Sequence, residues 1–536
     1  MIKLKSYFSG SILSKMTLIS ILFFFHMTSF AQTSNSIEEY YFDTGHYIID
    51  LDYVQGKGSN KKIFHTPYNG AIEYRDQNTL LGFTIDPQWN RIIYGDYGDW
   101  LKWFGQEGSG SGEFNHPRAI VSEGDYGWIF VADTYNGRIV RLKFDNINNV
   151  IDPNEFTLYG SGVLNRPIDL DYDDAGDGYA GNDILWIVDS GLNQIVSYNH
   201  YPTAYKRESI TSLYNPSSGT LYSDLSGLNG VAIRKNGLAN WVNSNVGEKL
   251  YLIDWKLRKL FFVDANSISN GLATIISEIT YSSGVQLSGV ESDFFGDVWV
   301  VDIANGELLK YTWDLEYLDE LSGLSRPTSV AGVRRHQLNM AITERWTETT
   351  GQRTYSQGAD IKNLSVSGGQ DIANVSLKLT NYSKLVVKMY KGSSLEATLV
   401  DNIADGFINA SGTQSLNWLK ESPVWGNYTA KVWAYSYDDN AVYHYDSYNF
   451  SFALEAFANG PSSLGFKQQG TFTAQTTGGS SAPTYQWYKQ YDGSTTWYTL
   501  GTSQSQTEMM VYTGFTMKVD VTSGNETSTA TTYCSS

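Results

Sequence analysis

Acidic side chains crowd between residues 169 and 189, in the stretch DLDYDDAGDGYAGNDILWIVD. The four that we predict as cation ligands are Asp171, Asp173, Asp177 and Asp183. Carboxylate oxygens on a glycine-rich loop are the ligands that Ca²⁺ prefers. The spacing departs from the helix-loop-helix calcium loop, because Ala175 stands at its fifth position. We therefore predict a candidate calcium site on a loop between two strands, with a solvated acidic hairpin as the simpler interpretation.

A second polar group lies around three prolines, at positions 117, 167 and 327. The residues that we predict to bind a ligand there are His116, Arg118, Arg166, Asp169 and Arg326. Arginines repel metal cations and form strong hydrogen bonds with anionic groups. This group therefore favours an anionic or polar ligand, and the simpler interpretation of His116 is a loop residue bonded to backbone.

The sequence contains none of the common catalytic motifs. A Gly-x-Ser-x-Gly elbow, a phosphate-binding loop and a His-Glu-x-x-His zinc motif are all missing. The stretch GSGSG at 108–112 is glycine-rich, but it lies on the connection between two sequence repeats and does not indicate a phosphate-binding loop. We assign no catalytic residue.

An apolar run ending on an acid recurs along the first 350 residues. The copies end at Asp96, Asp133, Asp189, Asp254 and Asp302, with a degenerate copy at Thr343. A polar turn and a second apolar run follow, which is typical of a β-hairpin. An aspartate that opens such a turn accepts hydrogen bonds from nearby backbone N–H groups. We therefore predict that Asp133 has a structural role and no catalytic one.

A further strand precedes each copy, and small side chains recur at one position in it. The aligned residues are Gly82, Ala119, Asp169, Gly230, Gly289 and Ser329. Small residues are expected where several strands converge on a narrow axis. The repeats therefore predict small sheets that stack into a ring.

One copy, spanning residues 104–144, resembles an NHL repeat. The matching residues are Phe104, Gly105, Gly108, Pro117, Asp133, Asn136, Arg138 and Ile139. The resemblance covers about residues 47–357 and implies a six-bladed β-propeller. We expect residues 46–52 to add an outer strand to the last blade, beside the stretch GQRTYS at 351–356.

The second half of the chain alternates apolar and polar residues, as strands with one buried face do. Residues 358–455 resemble the immunoglobulin-like modules related to flagellar hook-capping proteins; the match is carried by Leu416, Trp418, Gly426 and Tyr428. Residues 456–536 predict a second immunoglobulin-like β-sandwich. The predicted fold class is all-β, with a propeller over residues 32–357 and two sandwiches after it.

Residues 1–31 have the pattern of a secretory signal peptide, with three lysines before an apolar run and Ala31 at the cleavage site. The alanine–glutamine junction resembles signal peptides of the Bacteroidota. We expect an exported protein that is secreted, periplasmic or at the cell surface. No later stretch has the ~18 consecutive apolar residues that span a membrane.

The chain is strongly acidic, with a net charge of −18 that becomes −21 once the three signal-peptide lysines are removed. Such a surface repels nucleic acid and anionic lipid, so we expect neither as a partner. The single cysteine excludes an intramolecular disulfide.

These features predict an exported binding or scaffold protein. The NHL resemblance implies an interaction platform, with a protein or peptide as the first expected ligand and a glycan as the second. The alternative is a metal-dependent propeller enzyme, lactonase- or lyase-like, that acts outside the cytoplasm. Apart from calcium, no cofactor is expected.

Overall fold

Strands dominate the architecture, as the abundance of aromatic and glycine residues predicts. The computed structural model describes residues 37–38, 69–76, 79–96, 100–123, 127–145, 147–173, 183–199, 205–234, 249–324, 326–332, 339–344, 351–436, 440–511 and 513–536. The helical segments there are two 3₁₀ turns, Pro87–Trp89 and Thr134–Asn136, and one short α-helix, Asn402–Asp405.

The strands of the first half follow one another in short antiparallel runs. In chain order they are β1 (Ile37–Glu38), β2 (Gly70–Asp76), β3 (Thr79–Asp86), β4 (Arg91–Asp96), β5 (Trp100–Phe104), β6 (Gln106–Glu107), β7 (Glu113–Phe114), β8 (Ala119–Ser122), β9 (Trp128–Asp133), β10 (Arg138–Asp145), β11 (Val150–Tyr159), β12 (Pro167–Asp173), β13 (Ile184–Asp189), β14 (Gln194–Asn199), β15 (Tyr205–Ile210), β16 (Ser212–Asn215), β17 (Thr220–Tyr222), β18 (Leu228–Ile233), β19 (Lys249–Asp254), β20 (Lys259–Ser269), β21 (Leu272–Thr280), β22 (Leu287–Ser292), β23 (Val298–Asp302), β24 (Glu307–Tyr311), β25 (Tyr317–Leu321), β26 (Pro327–Gly332), β27 (Asn339–Glu344) and β28 (Gly351–Gln357).

These strands form a six-bladed β-propeller, which confirms the predicted fold class. In the described part of the chain the blades are β2–β5, β8–β11, β12–β15, β18–β21 with the hairpin β16–β17 added at its edge, β22–β25, and β26–β28 with β1. The innermost strand of each blade contacts that of the next, and β26 of blade six contacts β2 of blade one. The ring is therefore closed.

Blade six receives its outer strand from the beginning of the described chain. Ile37 and Glu38 pair antiparallel with Gln357 and Ser356. We predicted closure by residues 46–52, which lie outside the described residues; the described closing strand begins nine residues earlier. The partner segment at the end of β28 is the one that we predicted.

The repeat register in blades one and six differs from the sequence prediction. In blade one the acid that ends the second strand is Asp86, and Asp96 ends the third strand. The inner position is held by Asn69, whose carbonyl accepts a hydrogen bond from the backbone N–H of Ile85. Gly82 lies on the second strand. Strands β3 and β4 are both apolar runs that end on an acid, so the sequence pattern does not distinguish them. The sequence prediction therefore took β4 for the second strand of the blade, where the structure has β3.

In blade six the acid position falls on Glu344, one residue beyond Thr343. Ser329 pairs with Thr343, as Ala119 pairs with the residue before Asp133. The inner column therefore consists of Asn69, Ala119, Asp169, Gly230, Gly289 and Ser329.

The small residues of this column are required by close backbone approach. A Cβ atom on Gly289 would lie 3.0 Å from the Cα of Ser329 and 3.3 Å from the carbonyl oxygen of Thr328 in the next blade. A Cβ atom on Gly230 would lie 2.6 Å from the Ile253 side chain. The apolar residues of neighbouring blades pack between the sheets and form the propeller core.

We call the side on which the inner strands begin the top face, and the opposite side the bottom face. Each second strand runs back toward the start of the inner strand, so the turns after Asp86, Asp133, Asp189, Asp254 and Asp302 lie on the top face. The turns between the first and second strands lie on the bottom face.

Two β-sandwiches follow the propeller. Their strands are β29 (Ile361–Gly368), β30 (Ile372–Leu379), β31 (Lys384–Lys391), β32 (Ser394–Asp401), β33 (Gly412–Leu419), β34 (Tyr428–Tyr435), β35 (Val442–Phe450), β36 (Glu455–Asn459), β37 (Gln469–Thr477), β38 (Thr484–Tyr491), β39 (Tyr498–Thr499), β40 (Ser505–Met509), β41 (Phe515–Ser523) and β42 (Glu526–Cys534). Each sandwich packs a three-stranded sheet, β29-β30-β33 or β36-β37-β40, against a four-stranded one, β32-β31-β34-β35 or β39-β38-β41-β42. Trp418 and Trp487 lie in the two cores.

The first sandwich docks on the bottom face of blade five through buried polar contacts. Asp297 accepts a hydrogen bond from the Ser411 hydroxyl at 2.6 Å and lies 3.2 Å from the Lys310 ammonium. Lys310 also donates to the carbonyl of Thr380 at 2.9 Å. Burial raises the pKa of Asp297 to about 7, although the charge of Lys310 opposes that shift. Removing one member of such a group would leave a buried polar atom without its partner.

A larger side chain at position 289 should destabilise the propeller. We expect Gly289→Val to lower the free energy of unfolding by about 1–3 kcal/mol, since its added atoms meet the backbone of blade six and not a movable side chain. Urea unfolding measures the change. The matched control is Gly284→Ala, because a Cβ atom there meets nothing within 4 Å. Equal stability of the two variants would contradict the close-approach argument.

Candidate functional site

In blades two, three and five, the recurring aspartate connects the hairpin turn to the chain that enters the same blade. Asp133 accepts hydrogen bonds from the Asn115 backbone at 2.6 Å, from the Asn136 amide at 2.8 Å and from Arg138 Nε at 2.8 Å. Burial raises the pKa of Asp133 despite these donors. All the donors belong to the fold itself, which confirms the predicted structural role.

The same arrangement recurs in blades three and five, whereas the acid of blade one pairs within its own hairpin. Asp189 accepts from the backbone of Asn165 and Arg166 at 2.8 and 2.9 Å. Asp302 accepts from the Gln286 backbone at 3.0 Å, and in blade one Asp86 pairs with Arg91 at 3.0 Å. The acids therefore hold the top-face loops in fixed positions.

Large aromatic side chains project from these top-face turns. Trp89, Tyr135 and Trp255 follow the acids of blades one, two and four, and they are 48%, 50% and 48% exposed. Arg91 lies 5.5 Å from the centre of the Trp89 ring, and Lys256 lies 5.9 Å from that of Trp255. Each exposed ring thus has a cation at its face, within cation–π range.

The best-defined part of this surface is the stack His116–Tyr135–Arg166. The His116 and Tyr135 rings are stacked with centroids 4.9 Å apart and planes 14° apart, and the Arg166 guanidinium lies 5.4 Å from the centre of the Tyr135 ring. Asn90 of blade one accepts a hydrogen bond from the His116 backbone at 2.6 Å. Burial, reinforced by the charge of Arg118, lowers the pKa of His116. Blades one, two and three are therefore joined at a rigid aromatic and cationic surface.

The cavity among the described inner strands is small. Inner-strand residues of all six blades line it, and its cavity volume is about 30 Å³, room for about two water molecules. The Asn69 amide donates to Asp169 Oδ1 at 3.2 Å and so connects blades one and three, which are not neighbours in the ring. The exposed side chains of the top face are therefore the candidate ligand surface.

Asp169 and Asp171 connect the inner strands of blades three and four. Asp169 Oδ2 accepts from the Val231 backbone at 2.9 Å, and Asp171 Oδ2 accepts from the Ile233 backbone at 2.7 Å. Burial raises the pKa of Asp169 well above the usual carboxyl range. Asp169, which we predicted to bind a ligand, thus lies buried beneath the exposed surface and is bonded within the ring.

Two of the predicted calcium ligands have separate surroundings. Asp183 accepts a hydrogen bond from the Tyr172 hydroxyl at 2.6 Å, whereas Asp171 is bonded toward blade four. Consecutive strand residues point to opposite faces of a sheet, so Asp171 and Tyr172 leave opposite faces of blade three. The side chain of Asp173 and the whole of Asp177 lie outside the described residues. Within the described ranges, no cluster of three or more His, Cys, Asp or Glu residues has a geometry suited to a metal ion.

The structure brings together His116 and Arg166 through Tyr135, a residue that the sequence analysis did not select. Arg326 is exposed on the same face in blade six, at the position before the inner strand that His116 and Arg166 hold. Arg118 is half-buried at the start of blade two. The signal for Tyr135 was its place two residues after Asp133, in a turn that must face solvent.

Comparison with known proteins identifies no family for this chain. No protein-family model and no curated protein matches the sequence. Similar solved structures include virginiamycin B lyase from Staphylococcus aureus, at 9% identity and a TM-score of 0.34, with 59% of this chain and 93% of that chain covered. A luciferin-regenerating enzyme has 16% identity, a TM-score of 0.35 and coverage of 55% and 95%. A calcium-binding regucalcin from Agrobacterium tumefaciens has 14% identity, a TM-score of 0.33 and coverage of 55% and 92%.

None of the helices in the described segments is long and apolar enough to cross a membrane.

The buried carboxyl of Asp169 should make stability depend on pH. Its raised pKa means that its contribution is complete in acid and is lost as the pH rises through the folded-state pKa. In Asp169→Asn the new side-chain oxygen still accepts the hydrogen bond from the Val231 N–H. The new side-chain NH₂ group donates to the Asn69 side-chain oxygen once the Asn69 amide is rotated. We expect the free energy of unfolding of the wild type to fall relative to D169N between pH 4 and pH 8, by about 1.4 kcal/mol per unit of pKa difference.

Urea unfolding across this pH range is the measurement. The control is Asp520→Asn, on a strand of the second sandwich. Parallel curves for the wild type and D169N would contradict the assignment.

Proposed function

We propose that this chain is an exported binding protein whose NHL-type propeller captures an acidic protein or peptide segment on its top face. The observation that carries the proposal is the exposed stack His116–Tyr135–Arg166. The Arg166 guanidinium can bind a carboxylate of the ligand. The half-exposed ring of Tyr135 beside it can pack against an apolar side chain of the ligand. Tyr, Trp and Arg are the residues that contribute most to protein interfaces.

The rigidity of this surface supports the proposal. Asp133 and Asp189 bind the loops beside Tyr135 and Arg166 through backbone hydrogen bonds. A surface that is already ordered loses little conformational entropy when a ligand binds, so more of the contact energy appears as affinity.

Local charge supports an acidic ligand. The residues before the inner strands of blades two to six are His116, Arg166, Gly227, Gln286 and Arg326. This part of the top face is therefore neutral to basic in a chain with a net charge of −18. Such a contrast steers an acidic partner to one face.

The first sandwich docks on the bottom face of the propeller. This position supports the proposal that the second half of the chain holds the propeller and leaves its top face open. Phe295 of blade five stacks on Tyr382 at 4.6 Å, and Lys378 pairs with Glu316 at 2.6 Å. We infer that the two sandwiches are immunoglobulin-like modules that hold the propeller with its top face open to a partner outside the cytoplasm.

Weakening the stack should weaken binding. A pull-down from the envelope of the parent cell identifies the partner, and biolayer interferometry measures its affinity for the full chain. We expect Arg166→Glu and Tyr135→Ala each to lower that affinity at least tenfold, because one reverses the charge and the other removes the ring. Increasing NaCl should weaken wild-type binding, since exposed charges are screened.

The control variant is Tyr498→Ala, which removes an equally exposed ring from the second sandwich. Wild-type affinity in both top-face variants would contradict the proposal. A glycan array run in parallel identifies a sugar ligand, the second expected class. Stoichiometric zinc that is lost in His116→Ala, together with lactone hydrolysis, would favour the enzyme alternative.

The calcium prediction now depends on Asp173 and Asp177 in the blade-three loop. If calcium binds there, EDTA lowers the melting temperature of the wild type and leaves the double variant D173N/D177N unchanged, because the variant lacks two carboxylate ligands. Thermal melts with and without EDTA measure this. Identical responses of the two proteins would exclude this site.

A further inference from the structure

The outer face of the four-stranded sheet in the first sandwich carries aromatic and basic side chains next to one another. We call it the aromatic–lysine face; its central residues are Lys388, Tyr390, Lys431, Trp433 and Tyr445. Trp433 pairs with Tyr445, Lys431 with Lys388, and Thr429 with Tyr390 across adjacent strands, so these residues share one side of the sheet.

The rings on this face are ordered by contacts with each other and with lysine. The Trp433 and Tyr445 rings have centroids 5.2 Å apart, with planes 43° apart. The Lys431 ammonium lies 4.6 Å from the centre of the Tyr390 ring. Tyr445 is 46% exposed, and Ser447 beside it is exposed as well. The face is thus open to solvent and lined by ring surfaces, ammonium groups and hydroxyls.

Among its described residues, this face carries more lysines than carboxylates. Lys384, Lys388 and Lys431 lie on it, and Asp401 pairs with Lys388 at 3.3 Å. Two of these three lysines therefore have no carboxylate partner among the described residues of the face. The excess is local, because the whole chain carries a net charge of −18.

The matching face of the second sandwich shows that this composition is specific. There Lys518 lies 4.2 Å from the centre of the Tyr488 ring, in the same kind of contact. Its ammonium, however, is 3.4 Å from the Asp520 carboxylate, so the two charges balance. A β-sandwich of this chain does not need an excess of lysine on its outer sheet.

We propose that the aromatic–lysine face binds an acidic polysaccharide. The C–H groups of a sugar ring pack on the flat faces of Trp433 and Tyr445, as apolar groups do on aromatic surfaces. The sugar carboxylates receive charge-assisted hydrogen bonds from Lys431 and Lys384, which lie on either side of Trp433 along the sheet. A polymer with one charge per sugar suits the two lysines that have no described carboxylate partner, whereas nucleic-acid binding through about 6–10 phosphate contacts needs more positive charge.

The test uses the full chain and two forms of one polymer. Polygalacturonate carries a carboxylate on each sugar, and its methyl ester has the same backbone without the charge. Affinity electrophoresis or isothermal titration measures binding. We expect the wild type to bind polygalacturonate and to bind the methyl ester at least tenfold more weakly.

Variants of the face assign the binding to it. Lys431→Glu should lower the affinity for polygalacturonate at least tenfold, and Trp433→Ala should do the same while Trp433→Phe retains most of it. Lys518→Glu is the matched control on the second sandwich and should bind as the wild type does. Thermal melts show whether each variant is folded.

Three results would overturn the proposal. They are equal binding of both polymer forms, unchanged binding in folded K431E, and binding of duplex DNA without binding of polygalacturonate. None of these variants touches the top face, so the propeller's partner and this polysaccharide are tested separately.

Discussion

Six inner strands have to meet around one axis, and the rest of the structure depends on that close approach. Gly289 lies so near the backbone of blade six that a Cβ atom there would stand 3.0 Å from the Cα of Ser329. The polar members of the inner column meet as well, since Asn69 of blade one bonds to Asp169 of blade three. The cavity at the axis is consequently small, about 30 Å³, and our proposal places ligand binding on the loops around it.

Buried carboxylates hold those loops in place. Asp133 and Asp189 each bind the backbone of the segment that enters their blade, so the top-face turns are fixed by the same contacts that define the repeat. This arrangement costs desolvation, which is why burial raises the pKa of Asp133. It also holds Tyr135 in a fixed position, because hydrogen bonds hold both ends of the turn that carries this ring. A structural feature of blades two and three thus supports the surface that we propose for binding.

In the second half of the chain, buried polar contacts also fix the position of a surface, that of the first sandwich. Asp297, Lys310 and Ser411 form a buried polar contact between blade five and the first sandwich, and such contacts fix one arrangement because any other leaves a charge unpaired. The sandwich is thereby attached on the side away from the top face. Its aromatic–lysine face and the propeller's top face are two separate surfaces, and we propose an acidic ligand for each in a chain whose net charge is −18.

The sequence by itself determined the all-β class, the propeller and the structural role of Asp133, because hydrophobic alternation and turn residues are local signals. It also indicated His116 and Arg166 by their position before the inner strands. It assigned the wrong strand in blade one, since Asp86 and Asp96 both end apolar runs and only pairing distinguishes them. The tertiary structure alone decided that Asp169 is buried, that Tyr135 lies between His116 and Arg166, and that Trp433 and Lys431 share an open face with Tyr445. Those relations join residues on different blades or strands, and their distances depend on how the sheets pack and pair.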